Sequence, residues 1–284
     1  MIDHKRIAQK ALMTAEKIRN KLKIDRLTII DPEGIAHLLG CEVWYEDLNS
    51  LEGIYSKDPK PIIVIGSHRP IGRKKYTCAH ELGHHIFNHG TQLDEIDKTG
   101  KQNTQLEEEF LVDCFAGFLL MPKITICNAM AIRNINPAII SPVQVYALSS
   151  LFGVGYSTIL SHMTFSLKIL SIKQYENLKK TTPKDIKKQF NLNTNTELFI
   201  VDSLWKGRSV DLQLGDIIIT PNDIKVEGEN LLESQSKKPG YSFFEAKKVG
   251  YSRLFNNEGW GTHVRISRRD YRGLSKFRFL DEEE

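Results

Sequence analysis

The chain has 284 residues, enough for two domains, and 40% of them are hydrophobic and 26% charged, which excludes a disordered or low-complexity polymer. A net charge of +4 is too small to establish a nucleic-acid partner, although local lysine clusters leave one open. The four cysteines lie far apart and suggest no disulfide framework; the chain starts without an apolar h-region, and no uncharged apolar run nears the ~20 residues of a membrane span, so the expected compartment is the cytoplasm.

Residues 4–24 place Ile7, Ala11, Ala15, Ile18 and Leu22 at spacings of three and four, predicting an amphipathic helix with a basic outer face, either solvated or turned toward nucleic acid. Asp31-Pro32-Glu33 reads as N-cap, N1 proline and first-turn acid of a short helix that Gly40 closes. Short strands are expected at 41–45 and 53–55, and 61–65 reads as a buried strand bounded by Pro and Gly. Ile62 and Val64 on it are candidate substrate-binding residues: a sheet edge here would hold an extended peptide by main-chain hydrogen bonds. Plain core is the competing reading.

A helix is expected from about Lys74 to His89, ending at Gly90, and it carries His80-Glu81-Leu82-Gly83-His84. On a helix, His80 and His84 stand one turn apart on the same face, so two neutral imidazoles can grip one divalent ion. Glu81 then reaches a water held by that ion and takes its proton during attack on a peptide carbonyl. The extended zinc pattern is not met: Phe87 stands where glycine is needed and Gly90 where a third histidine would be. His85 and His89 are therefore not placed as ligands; His89 is expected to cap the helix C-terminus.

Residues 91–104 are polar and loop-like, and Thr104-Gln-Leu-Glu107 has the form of a capping box opening an apolar helix that Pro122 ends. A catalytic zinc has three protein ligands and an open position. Glu109 and Asp113 are one turn apart on this buried helix, so Glu109 can supply the third ligand while Asp113 accepts an N–H from a ligand histidine. Glu107 and Glu108 read as a solvated first turn.

The strand at 62–65, the Gly-Ile-Tyr segment at 53–55, the Arg73–His84 run and Asp113-Cys-Phe-Ala-Gly-Phe-Leu-Leu-Met-Pro122 together resemble the ImmA/IrrE family of metallo-endopeptidases, over residues from about 30 to 125. The resemblance implies a thermolysin-like zincin core in which His80, His84 and Glu109 bind one Zn2+ (Mn2+ also suits the donors) and Glu81 is the catalytic base. The family commonly has Ala-Asn where this chain has Val112-Asp113. It also implies a substrate class: a helix-turn-helix transcriptional repressor whose cleavage relieves repression of a stress-response, phage-defence or mobile-element operon.

Residues 143–163 read as helix, Gly turn, helix, with helix-turn-helix spacing but without the Arg, Lys, Asn or Gln that a DNA-reading helix offers at its start. Tyr146, Tyr156 and His162 are open candidates for an oxyanion donor. Residues 168–196 form a lysine-rich linker, and 197–284 a small β-rich domain, for which the resemblance implies a regulatory role, with strands near 198–201, 210–214, 216–220, 241–244 and 263–266. Its end, Arg265–Phe279, interleaves basic and aromatic residues, a pattern that suits single-stranded nucleic acid or simply an amphipathic strand. The expected architecture is α+β: a zincin-like metallopeptidase domain over 1–167, the linker, and the β-rich domain. A DNA-binding regulator that retains a zinc-protease fold is the alternative function.

Overall fold

The computed structural model describes residues 3–89, 92–95 (backbone), 107–234 and 238–280. Along the N-terminal region run α1 (His4–Lys21), α2 (Pro32–Leu38), β1 (Glu42–Glu46), β2 (Leu51–Ser56), β3 (Ile62–Gly66), α3 (Ile71–Phe87), β4 (Gln92–Glu95), α4 (Glu107–Leu120) and α5 (Lys123–Ile132). Then come α6 (Pro142–Phe152), α7 (Tyr156–Ser161), α8 (Ile172–Leu178) and α9 (Pro183–Gln189). Short strands follow: β5 (Leu198–Ile200), β6 (Ser209–Gln213), β7 (Ile217–Pro221), β8 (Lys225–Glu227), β9 (Leu231–Glu233), β10 (Tyr241–Ala246), β11 (Gly250–Phe255), β12 (Gly261–Ser267) and β13 (Gly273–Leu274). The fold is mixed α+β, with a helical N-terminal region around one sheet and a β-rich region after it. The expected Gly90 terminus and the Thr104–Glu107 capping box fall partly outside the described residues.

The first sheet has five strands in the order β13-β1-β3-β2-β4, with β1 and β3 parallel and the other pairs antiparallel. This corrects the reading of Ile62 and Val64 as a substrate-binding edge. β3 is the central strand, and its backbone pairs with β1 on one side and β2 on the other, so no main-chain group is left for a peptide. A second correction is β4: Gln92–Glu95 was expected to be loop, yet it pairs with β2 and forms an edge of the sheet. An edge strand bonded on one side needs no apolar alternation, so its polar sequence hid it.

α3 lies against β2 and β3 on one side and against α4 on the other, while α1 covers the back of α4. That enclosure explains why α4 is apolar after its first turn: Phe115, Leu119 and Leu120 are at most 1% exposed. Fully burying one such side chain contributes roughly 1.5–3 kcal/mol. The Glu107–Ile132 stretch is long and apolar enough to cross a membrane, but 61% of its most apolar window is buried inside the fold, as in a core helix.

Two four-stranded sheets, β5-β7-β10-β9 and β6-β12-β11-β8, make the β-rich region. The chain then returns: β13 pairs with β1, and the following turn places Arg278 on Glu33 of α2. Between the two regions lies a buried ion network. Lys75 of α3 meets Asp211 of β6 at 3.1 Å, and Asp211 meets Arg265 of β12 at 2.6 Å. Asp31 caps α2 only in sequence; its side chain makes no cap bond and sits 3.8 Å from Arg265 instead. The lysine-rich segment at 168–196 carries α8 and α9, each opened by a capping box, from Ser171 with Gln174 and from Thr182 with Asp185.

Candidate metal centre

α3 starts after Pro70 and ends where Asn88 takes a left-handed conformation, φ 58°. Within it His80, Glu81 and His84 are completely buried. The Nε2 atoms of His80 and His84 lie 3.3 Å apart; Glu109 of α4 brings its two carboxylate oxygens to 3.2 Å from His80 Nε2 and 3.6 Å from His84 Nε2. One ligand atom from each residue thus lies within 4.8 Å of the others. Four ligands about 2.1 Å from a common centre stand roughly 3.4 Å apart along each tetrahedral edge. The 3.3 Å between the two imidazole nitrogens is of that size, and the two Glu109 oxygens each approach one of them at a similar range, so the donor set fits a single divalent metal.

Each imidazole is oriented from behind. His80 Nδ1 is 2.9 Å from Asp113 Oδ1, and Asp113 is itself tied to α3 because Tyr76 Oη donates to its carbonyl at 3.1 Å. His84 Nδ1 is 3.0 Å from His89 Nδ1. A ligand histidine that donates Nδ1–H keeps Nε2 as the lone-pair donor and has its ring angle fixed. Burial pushes the His89 pKa below its ordinary value, which favours the neutral ring that can accept from His84. The C-cap of α3 is Asn88 and not the expected His89, which stands instead as an orienting neighbour of the site. The signal was its spacing of five from His84, which the left-handed Asn88 folds back. His85 points elsewhere, bonding Tyr55 Oη at 3.0 Å.

Two glycines set the packing. A side chain at Gly53 of β2 would overlap Glu81 Oε1 and Thr77 Cγ2, so the sheet rests directly on the Glu81 carboxylate. A Cβ at Gly83 would stand 2.9 Å from Val112 Cβ, so α3 and α4 touch there at backbone range. Neither glycine was singled out from sequence for this purpose.

The open oxyanion candidates are engaged elsewhere: Tyr146 Oη donates to Leu198 O, Tyr156 Oη to Leu178 O, and His162 Nε2 lies 3.1 Å from Met121 O. Tyr156 and Leu160 of α7 are buried, and the helix presents Ser157 outward. In the basic C-terminal stretch Arg265, Arg269, Arg272 and Arg278 pair with Asp211, Asp216, Asp47 and Glu33, so these cations serve internal carboxylates.

Residues 37–162 match the IrrE N-terminal-like domain of peptidase family M78. No curated protein matches the chain. Among solved structures it is similar to the crystal structure of the cysteine protease inhibitor EhICP2 from Entamoeba histolytica, at 12% identity over 26% of this chain and 99% of that one, with a TM-score of 0.21. It is also similar to the solution structure of Amebosin, at 4% identity over 25% of this chain and 99% of that one, with a TM-score of 0.15; neither likeness bears on fold or function. The family match and the two-histidine, one-glutamate cluster agree: residues 37–162 are similar to an IrrE N-terminal-like domain, and they carry the donor set of a metallopeptidase.

Proposed function

We propose that this chain is a cytoplasmic zinc endopeptidase that cuts one peptide bond in a helix-turn-helix transcriptional repressor and so relieves repression of the repressed operon. The observation that carries the zinc-peptidase reading is the convergence of His80 Nε2, His84 Nε2 and the Glu109 carboxylate, with Glu81 beside them. The repressor is supported by the family resemblance alone.

Zinc, when bound, supplies Lewis acidity toward the scissile carbonyl and makes the attacking water more acidic. Glu81 takes the proton from that water and returns it to the leaving amine. Asp113 and His89 hold the two imidazoles in the donating tautomer. An extended substrate finds main-chain partners along β4, whose outer side pairs with no other described strand. In that register Asp94 lies opposite Gly53, the residue that rests on Glu81.

The test is cleavage of the repressor encoded beside this gene, with and without zinc and single-stranded DNA. Glu81→Gln is expected to keep its zinc and lose cleavage; a Glu81→Gln protein cutting at the wild-type rate refutes the mechanism. Glu109→Ala is expected to lose the metal. Salt-dependent duplex binding by a protein that cuts no repressor would instead establish a DNA-binding regulator.

A further inference from the structure

α4 has two working faces. Glu109 and Asp113 look toward the metal centre, while Phe110, Cys114 and Phe118, each one or more turns apart, line a groove of about 860 Å³ on the opposite side. α1 forms one wall with Leu12, α5 another with Ile124, and the π-helical turn His162–Ser166 a third with Phe165. These three large apolar side chains are 38%, 50% and 48% exposed, and they come from separate elements around one trough. An apolar concavity of that kind marks an interaction site more than scattered surface leucines do.

Charge gives the trough a polarity. Lys5, Arg26, Lys123 and Lys168 stand on its rim, and Glu16 is the one acid among its lining residues. Among the described residues none of these four cations lies within ion-pair distance of a carboxylate, so their charge is not neutralised within the fold. Arg19 differs: its guanidinium donates to Leu119 O at 3.0 Å and to Thr28 O, which pins α1 to α4 and fixes the wall. The groove is therefore formed before anything enters it, which lowers the ordering cost of binding.

We propose that this groove docks an amphipathic α-helix with an acidic polar face, contributed by a protein partner. A helix lays apolar residues at i, i+3, i+4 and i+7 into such a trough while its flanks meet the rim. Acidic flanks complement the lysines and arginine; basic flanks are repelled by them. A membrane surface meets convex apolar tips in one plane, whereas Leu12, Ile124 and Phe165 are the walls of a concavity. A nucleic-acid backbone would meet Phe110 and Phe118 where it needs donors. The docked helix also lies against the residues adjoining Glu109 and Asp113, so occupancy bears on the helix that supplies the third ligand. The docking itself does not depend on the metal or on the substrate assigned above.

The test is fluorescence anisotropy with the full-length protein and labelled helical peptides carrying leucines at i, i+3, i+4 and i+7. One peptide has glutamates at the other positions and its counterpart has lysines. The glutamate peptide is expected to bind about tenfold more tightly than the lysine peptide, and more weakly as salt rises. Phe165→Asp and Leu12→Asp, both at exposed positions, are expected to weaken it about tenfold with unchanged thermal melting. Lys123→Glu with Lys168→Glu is expected to shift the preference toward the lysine peptide. No binding of the glutamate peptide, or equal binding of both, overturns the proposal. So does Phe165-dependent binding to phosphatidylglycerol vesicles without peptide binding, or a dimer that Phe165→Asp dissolves.

Discussion

Replacing Asp211 by alanine removes a carboxylate that stands 2.6 Å from Arg265 Nε, 3.1 Å from Lys75 Nζ and 3.7 Å from an Arg278 nitrogen. Burial alone would raise the Asp211 pKa, but Lys75, Arg278 and Arg265 carry it far below the ordinary carboxylate range. Burial likewise pushes the Lys75 ammonium down, and Asp211 first, then Asp31, outweigh it. Without Asp211 three cations converge on one buried spot. Removing one partner of a buried pair costs about 3–5 kcal/mol. Asp31 near Arg265 and Glu33 on Arg278 remain, which places the expected loss at the lower end, about 3 kcal/mol. Against a total stability of about 5–15 kcal/mol, that is a large fraction. Urea unfolding of the full-length chain at pH 7 measures it directly. Asp211→Leu combined with Lys75→Met should recover part of the loss, because a buried pair replaced by apolar volume is often neutral. An Asp211→Ala variant losing less than about 1 kcal/mol would show that the network is solvated and that the β-rich region is not clamped to α3 through it.

Gly53→Ala should lower cleavage about 100-fold while zinc content stays normal, since the new methyl displaces Glu81 rather than the ligands; a metal-free protein would point to collapse of the whole site. Asp113→Ala and His89→Ala should each weaken metal affinity about 10–100-fold in a competitive chelator titration, and an unchanged affinity would remove their orienting role. His162 carries a pH effect. Burial holds its pKa down to about 4, against an unfolded value of 6.5, so between those pH values the unfolded chain binds more protons. Stability is therefore lost as pH falls through that window, by about 3 kcal/mol in all, and is untouched above it. His162→Gln should flatten this slope in urea melts at pH 7 and pH 5, and an unchanged slope would assign it to other groups.

What could be read from the sequence was what a single helix turn encodes. His80 and His84, and Glu109 and Asp113, are each one turn apart, and helical geometry alone puts each pair on one face. Long-range placement was not encoded locally. Ile62–Ile65 reads as the same apolar strand whether it is central or at an edge, and only the partners supplied by β1 and β2 decide. β4 is the reverse case, an edge strand whose polar residues carry no alternation. The arginines of the C-terminal stretch looked like a free basic row because their partners are distant in the chain; Arg278 reaches Glu33 across 245 positions. Spacing set His89 aside as a ligand, but spacing could not show it behind His84.

The two motif helices also explain each other where the sequence departs from the family it resembles. The resemblance leads one to expect alanine at 112, and the chain has valine. A larger side chain there would ordinarily push α4 away from α3 and take Asp113 out of reach of His80. It does not, because position 83, between Glu81 and His84, is glycine. Val112 occupies the space a side chain on Gly83 would need, so the helices still approach closely enough for the 2.9 Å contact between Asp113 and His80. The same approach carries Glu109, one turn earlier, to within 3.2 Å of His80 Nε2. The Glu109 carboxylate is therefore not placed by the glutamate's own position alone. It is placed by a glycine on one helix and a valine on the other, and the variable residues inside both motifs are bound by steric complementarity to the fixed ones.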